Sequence, residues 1–198
     1  MQIVIASKNT GKILEIRSFF SSLQKVQWLT FKDLESFPEI KEKEESFAEN
    51  ARLKARTISL YTNKITLGDD SGLEVDFLEG RPGVKSSRYA GADATDKENR
   101  DKLLGEMKNV RDFSERTARF VCTMVLWGPQ TGPIFEAKGI CEGSIGFEEK
   151  GTGGFGYDCI FIPSGYNRTM AQLTQDEKNK ISHRGKALEA IYGFIVNL

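Results

Sequence analysis

The chain has 198 residues, with 28 Lys and Arg balanced by 28 Asp and Glu, for a formal net charge of zero. That length fits one domain and buries a core without covalent staples. The charge balance argues against a nucleic-acid or anionic-membrane surface, which needs a basic excess.

Residues 2–6 read as a buried strand. Ile13, Ile16, Phe20 and Leu23 then recur at helical spacing, and residues 26–30 form a second strand. An acidic run over 39–45 precedes Ser46-Phe47-Ala48-Glu49, a capping-box pattern opening a helix to about Leu60. On that helix Phe47, Ala51, Ala55 and Ile58 form the apolar stripe, while Asn50 and Lys54 share another face. Residues 65–67 and 73–75 read as short strands around a sharp polar centre. A Gly-, Ser- and Arg-rich loop covers 79–92. Thr95-Asp96-Lys97-Glu98 caps a helix through Met107. Residues 119–127 and 134–145 read as antiparallel partners joined by a Gly- and Pro-rich turn. A short strand over 159–162 and a helix over 184–196 complete the chain. Helices alternating with strands, followed by a long hairpin, predict an α/β fold around a mixed sheet.

Cys122, Cys141 and Cys159 are odd in number and form no CxxC pair, which argues against zinc and for small buried hydrophobes in a reducing compartment. The apolar opening is too short for a signal peptide and lacks a basic leader, and no run reaches membrane-spanning length. A cytoplasmic soluble protein is expected.

Four segments carry chemistry. Ser7-Lys8-Asn9-Thr10-Gly11-Lys12 lies between the first strand and first helix, where free backbone N–H groups favour anions. Its spacing is not that of a P-loop, and it reads equally as a capped helix start with a solvated lysine. In Gly68-Asp69-Asp70-Ser71-Gly72, two adjacent carboxylates suit Mg²⁺, with Glu42 or Glu39 as a further ligand; the other reading is a polar turn. Gly151-Thr152-Gly153-Gly154-Phe155-Gly156-Tyr157-Asp158 combines glycines that allow close approach with aromatic faces for a flat ring; the other reading is a surface loop. Lys178 precedes Ser182-His183-Arg184-Gly185-Lys186, where the single histidine is either structural or part of anion or base recognition. Lys54 either reaches a phosphate or is solvated.

Together these segments, with Arg88-Tyr89-Ala90-Gly91, resemble the Ham1 family of inosine triphosphate pyrophosphatases over nearly the whole chain. The resemblance implies one domain over residues 1–198 with an elongated central mixed sheet flanked by helices, and two lobes with a nucleotide cleft between them. It implies a homodimer that uses Mg²⁺ to hydrolyse ITP, dITP and XTP to the monophosphate and pyrophosphate. Such house-cleaning keeps deaminated purines out of DNA and RNA. By resemblance Asp70 is the general base and a metal ligand. Asp69 supports it, and Glu42 is the preferred further ligand with Glu39 open. Ser7, Lys8, Asn9, Thr10, Gly11 and Lys12 form the phosphate-side loop, led by Asn9 and Lys12. Lys54 adds positive charge, and Ser71, Phe155, Gly156, Tyr157, Asp158, Lys178, His183 and Arg184 line the substrate pocket. Donors from His183 or Arg184 are expected to read the purine C6 carbonyl, and Phe155 to pack on the base. Two positions depart from the family. Cys159 stands where proline is usual and is expected to begin a strand, and Lys8 stands where glycine is frequent.

A Maf-type pyrophosphatase is disfavoured because residues 7–12 lack that family's Ser-x-Ser-Pro-Arg-Arg pattern. A non-catalytic nucleotide-binding module has no need for the acidic pair and phosphate-side lysines. A nucleic-acid-binding protein is disfavoured by the zero net charge.

Overall fold

The computed structural model describes residues 1–40 and 46–197. In chain order the strands are β1 (Gln2–Ile5), β2 (Gln27–Leu29), β3 (Ile65–Val75), β4 (Thr117–Gly128), β5 (Gly132–Ile145) and β6 (Phe161–Pro163). The helices are α1 (Thr10–Phe19), α2 (Phe47–Thr62), α3 (Asp96–Glu106), α4 (Gln175–Ile181) and α5 (His183–Val196). The strands form one mixed sheet in the order β2-β1-β3-β4-β5-β6. β1 runs parallel to β2, with Ile3 opposite Trp28, and parallel to β3, with Ile3 opposite Ile65. β6 is antiparallel to β5, with Ser144 opposite Ile162. The mixed sheet expected from the alternating pattern is therefore present.

The chain divides into two compact units. The first comprises Met1–Asp70, Cys122–Gly139 and Arg184–Leu198; the second comprises Ser71–Val121 and Ile140–His183. Each has its own core. In the first, Ile3, Ile5, Ile13, Ile16 and Leu67 pack with Cys122, Met124, Leu188 and Ile191. In the second, Leu73, Val75, Leu103 and Met107 pack with Phe120, Tyr157, Ile160 and Phe161. On β4, Phe120, Cys122, Met124 and Leu126 are buried at alternate positions, and Val121, Thr123 and Val125 between them are buried too, so this strand is covered on both faces.

Local capping chemistry fixes the helix starts. The Ser46 hydroxyl accepts the Glu49 N–H at the start of α2. Thr95 and Glu98 exchange a full capping box at the start of α3, as their spacing predicts. Thr174 and Glu177 do the same for α4, a helix not expected from periodicity.

Three segments differ from expectation. Residues 65–75 form one continuous strand, so Asp69 and Asp70 lie inside β3 and not in a turn. Residues 79–92 are not simply loop, because Gly83–Arg88 is a 3₁₀ helix. The last strand begins at Phe161, so Cys159 lies in the turn before it and does not begin the strand.

One close approach sets up the site. Gly68 sits in β3 beneath α2, and a Cβ there would lie 2.2 Å from the Ala51 carbonyl oxygen and 2.9 Å from the Ala55 Cβ. The absence of a side chain at Gly68, with alanines facing it, lets helix and strand pack at short range. That spacing puts Lys54, one residue from Ala55, over the acidic pair.

Candidate active site

In the first unit, a buried charge cluster is built on Asp69. Lys12, in the first turn of α1, pairs with Asp69 Oδ1. Arg184 Nε donates to Asp69 Oδ2 at 3.1 Å, and the Cys122 thiol donates to the same oxygen at 3.3 Å. Arg184 Nη1 also donates to Glu15 Oε2 at 2.5 Å. Burial alone would push the Asp69 carboxyl up, but the Lys12 and Arg184 charges outweigh it and hold it far below the usual carboxylate range. Burial and the Asp69 charge push the Cys122 thiol well up, keeping it a protonated donor. Burial would lower the Arg184 pKa; Asp69 and Glu15 reverse that and raise it.

Asp70, next along β3, has a different partner. Lys54 Nζ donates to Asp70 Oδ1 at 2.7 Å and to the Asp69 backbone carbonyl at 3.0 Å. Lys54, expected either at a phosphate or in solvent, is buried at 8% exposure. The structure thus brings together Lys12, Lys54, Asp69, Asp70 and Arg184, drawn from three separate sequence motifs and a helix.

The loop before α1 is a capped helix start, one of the two readings that its sequence left open, but its lysine is not solvated. Asn9 is the N-cap of α1, accepting the Lys12 N–H on Oδ1 at 3.0 Å, and Ser7 Oγ accepts the Asn9 N–H at 3.1 Å. Ser7 and Asn9 therefore organise the helix start, while Lys12 turns inward to Asp69. Thr10 is exposed and Gly11 half-buried in the first turn. The exposed Lys8 ammonium stands 5.7 Å from the centroid of the Phe37 ring.

Metal-ligating capacity in this unit centres on Asp70. Among the described residues, no group of three or more His, Cys, Asp or Glu side chains could hold a metal. Asp69 has both oxygens committed to Lys12, Arg184 and Cys122. Glu42 lies outside the described residues, and Glu39 is exposed. A hard carboxylate donor such as Asp70 fits Mg²⁺, which is commonly held by one or two carboxylates with substrate phosphates completing the shell.

The second unit carries the glycine loop. Phe155 N–H donates to Asp158 Oδ2 at 2.9 Å, and Lys178 Nζ, from α4, donates to the same oxygen at 2.7 Å. The Lys178 ammonium also lies 5.2 Å from the Phe155 ring centroid. Asp158 and Lys178 are each 4% exposed, so their pairing holds the half-buried Phe155 from two sides. A cavity of about 260 Å³ is lined by residues 151–156 together with Asp96, Arg100, Glu149, Asp158 and Cys159.

The glycines serve the protein itself as well as any ligand. Gly154 has φ +72°, and a Cβ there would lie 2.0 Å from Asp158 Oδ2. Gly151 and Gly153 lie against the Ala171 backbone. The Tyr157 side chain differs from its expected substrate contact. Its ring is buried in the unit's core and its hydroxyl donates to the Ser86 carbonyl at 2.8 Å. Gly156 lines the cavity. Ser71 is half-buried in β3. His183 opens α5, where its ring stacks on Phe120 at 4.7 Å and 13°.

Sequence reasoning missed Glu15, Cys122, Asp96 and Arg100. Glu15 is three residues from Lys12 and shares its helix face, a visible signal for a shared partner network. The Cys122 thiol has no local signature, because its partner is 53 positions away.

A family model described as the Ham1 family matches residues 3–194. The chain is 45% identical over 191 residues to a dITP/XTP pyrophosphatase of Oceanobacillus iheyensis, covering 96% of this chain and 95% of that one. It superposes on a HAM1 protein from Coxiella burnetii with a TM-score of 0.89 and 38% identity, over 100% of both chains. The Staphylococcus aureus Ham1 protein matches with a TM-score of 0.87 and 37% identity, over 100% of this chain and 99% of that one. The chain belongs to the Ham1 family.

Proposed function

We propose that the chain hydrolyses the deaminated purine nucleoside triphosphates ITP, dITP and XTP to the monophosphate and pyrophosphate. The observation that carries this reading is the pairing of Lys12 with Asp69 and of Lys54 with Asp70. Each lysine is oriented by an ion pair with a carboxylate, which sets the direction of its ammonium group before phosphate oxygens approach. Lys12 and Lys54 then bind phosphate oxygens as fixed cations whose geometry is set before substrate arrives.

Water attacks the α-phosphorus and pyrophosphate leaves. Asp70 is the carboxylate for orienting that water. With an upstream acidic residue, Glu42 or Glu39, it is also the group that would hold Mg²⁺. When bound, Mg²⁺ supplies charge neutralisation on the phosphate oxygens and the leaving group. Asp69 does not share that task; it anchors Lys12 and Arg184.

By the family resemblance Phe155 is assigned to the base, and so are His183 and Arg184. Phe155, held by Asp158 and Lys178, offers a face for the purine ring. His183 and Arg184 are the donors for the C6 carbonyl, and the two carboxylates on Arg184 fix its guanidinium in advance. A C6 amine leaves those donors unpaired, which disfavours adenine nucleotides.

Cytoplasmic location and a homodimer belong to the same reading, which the family resemblance supports. Among the described residues no helix is long and apolar enough to cross a membrane. Profiling pyrophosphate release with ITP, XTP, dTTP and UTP tests the assignment: preference for dTTP or UTP favours the Maf-type alternative, and release from none favours a binding module.

A further inference from the structure

Both hydrogen-bonding groups of Gly156 are taken by the start of α3. Its N–H donates to Asp96 Oδ2 at 2.7 Å, and its carbonyl accepts from Arg100 Nη1 at 2.8 Å. Asp96 and Arg100 are four residues apart, so one face of the helix presents both groups. Arg100 is itself fixed by Glu149, through Nε at 2.9 Å and Nη2 at 3.3 Å. A bidentate, charge-assisted pair of this kind holds a guanidinium in one orientation, and the Arg100 side chain is only 14% exposed.

The consequence falls on Phe155. Its own N–H is held by Asp158 and the next N–H by Asp96. The next carbonyl is held by Arg100. The backbone is therefore pinned on both sides of the aromatic residue, in a segment otherwise rich in glycine. Of these ties, the Arg100 contact connects the loop to Glu149.

We propose that Arg100 is a positioning residue that fixes Phe155 through the Gly156 peptide and thereby sets affinity for the purine base. It acts at a distance: no contact between Arg100 and substrate is required. The proposal rests on Phe155 being the base-side wall.

Two measurements on the full chain test it, comparing wild type with Arg100→Ala and Arg100→Lys. In hydrogen exchange without nucleotide, Arg100→Ala speeds exchange across residues 153–158 and leaves the protected strands of the sheet unchanged. In pyrophosphate release from dITP, Arg100→Ala raises KM about tenfold, the loss expected for one charge-assisted hydrogen bond, while kcat stays within about twofold of wild type. Arg100→Lys gives intermediate values in both, because an ammonium cannot span Gly156 and Glu149 as a planar fork does. Unchanged exchange in Arg100→Ala overturns the clamp. Faster exchange with unchanged KM, or a fall in kcat alone, overturns the positioning role. If the wild type releases no pyrophosphate from dITP, the substrate reading and the affinity role both fall, and the exchange result still decides whether Arg100 holds the loop.

Discussion

Arg184 and Asp69 lie 115 positions apart in the chain and meet through a buried 3.1 Å hydrogen-bonded ion pair, with side chains 3% and 0% exposed. The pair is one edge of a network in which Asp69 also receives Lys12 and Cys122, and Arg184 also reaches Glu15. Removing one partner from such a pair leaves an uncompensated buried charge. Asp69→Asn is therefore expected to destabilise the protein by about 3–5 kcal/mol. For a chain of this size that lowers Tm by on the order of 10 °C. Thermal denaturation checks it, and a double variant with Arg184→Met is expected to lose less than the sum of the two single changes.

Asp70→Asn is expected to behave differently. Asp70 is the carboxylate assigned to the water and the metal, so its loss lowers kcat by about 100-fold or more, the scale of general-base effects. Lys54 keeps the Asp69 carbonyl as an acceptor, so Tm falls less than in Asp69→Asn. Steady-state kinetics beside a melting curve separates the two aspartates: turnover near wild type removes Asp70 from the mechanism.

Gly68→Ala probes how the site is positioned. The added methyl would stand 2.2 Å from the Ala51 carbonyl oxygen, so α2 must move away from β3. Overpacking of this kind costs about 1–3 kcal/mol. Because α2 carries Lys54, activity is expected to fall by more than lost stability explains when measured well below the variant's Tm.

Tyr89 gives a pH prediction. Burial first, then the hydrogen bond and charge of Glu106, push its hydroxyl up to about 12 from an ordinary value of 10.0. The folded state thus favours the neutral phenol. That contribution to stability is complete below pH 10.0 and is lost as pH rises through about 12. Urea midpoints measured across this range are expected to decline in the wild type, and Tyr89→Phe is expected to lack that component.

Where structure follows local chemistry, the sequence was readable. Ser46 with Glu49 and Thr95 with Glu98 mark helix starts because a cap is completed within four residues. The same signal stands in Thr174 with Glu177, and α4 was missed only because its seven residues are too short for a periodic apolar stripe. The acidic centre of β3 was misread for a different reason. Gly, Asp and Ser favour turns locally, but Lys12, Arg184 and Lys54 neutralise the carboxylates and allow the strand to run through. Those partners lie far away in sequence. His183 and Arg184 make a similar point: adjacent in sequence, one stacks on Phe120 and the other pairs with Asp69 and Glu15. Composition marks the glycine loop as a candidate site, yet the demands of Ala171 and Asp158 on its glycines emerge only from packing.

The central claim is tested most directly by measuring pyrophosphate and orthophosphate separately from dITP, XTP, GTP and ATP, with Mg²⁺ and again after chelation. Hydrolysis of deaminated purine triphosphates at the α-phosphorus predicts pyrophosphate as the product, dITP and XTP preferred over GTP and ATP, and loss of activity on chelation that returns with added Mg²⁺. Orthophosphate as the product, or equal turnover of all four nucleotides, would contradict it.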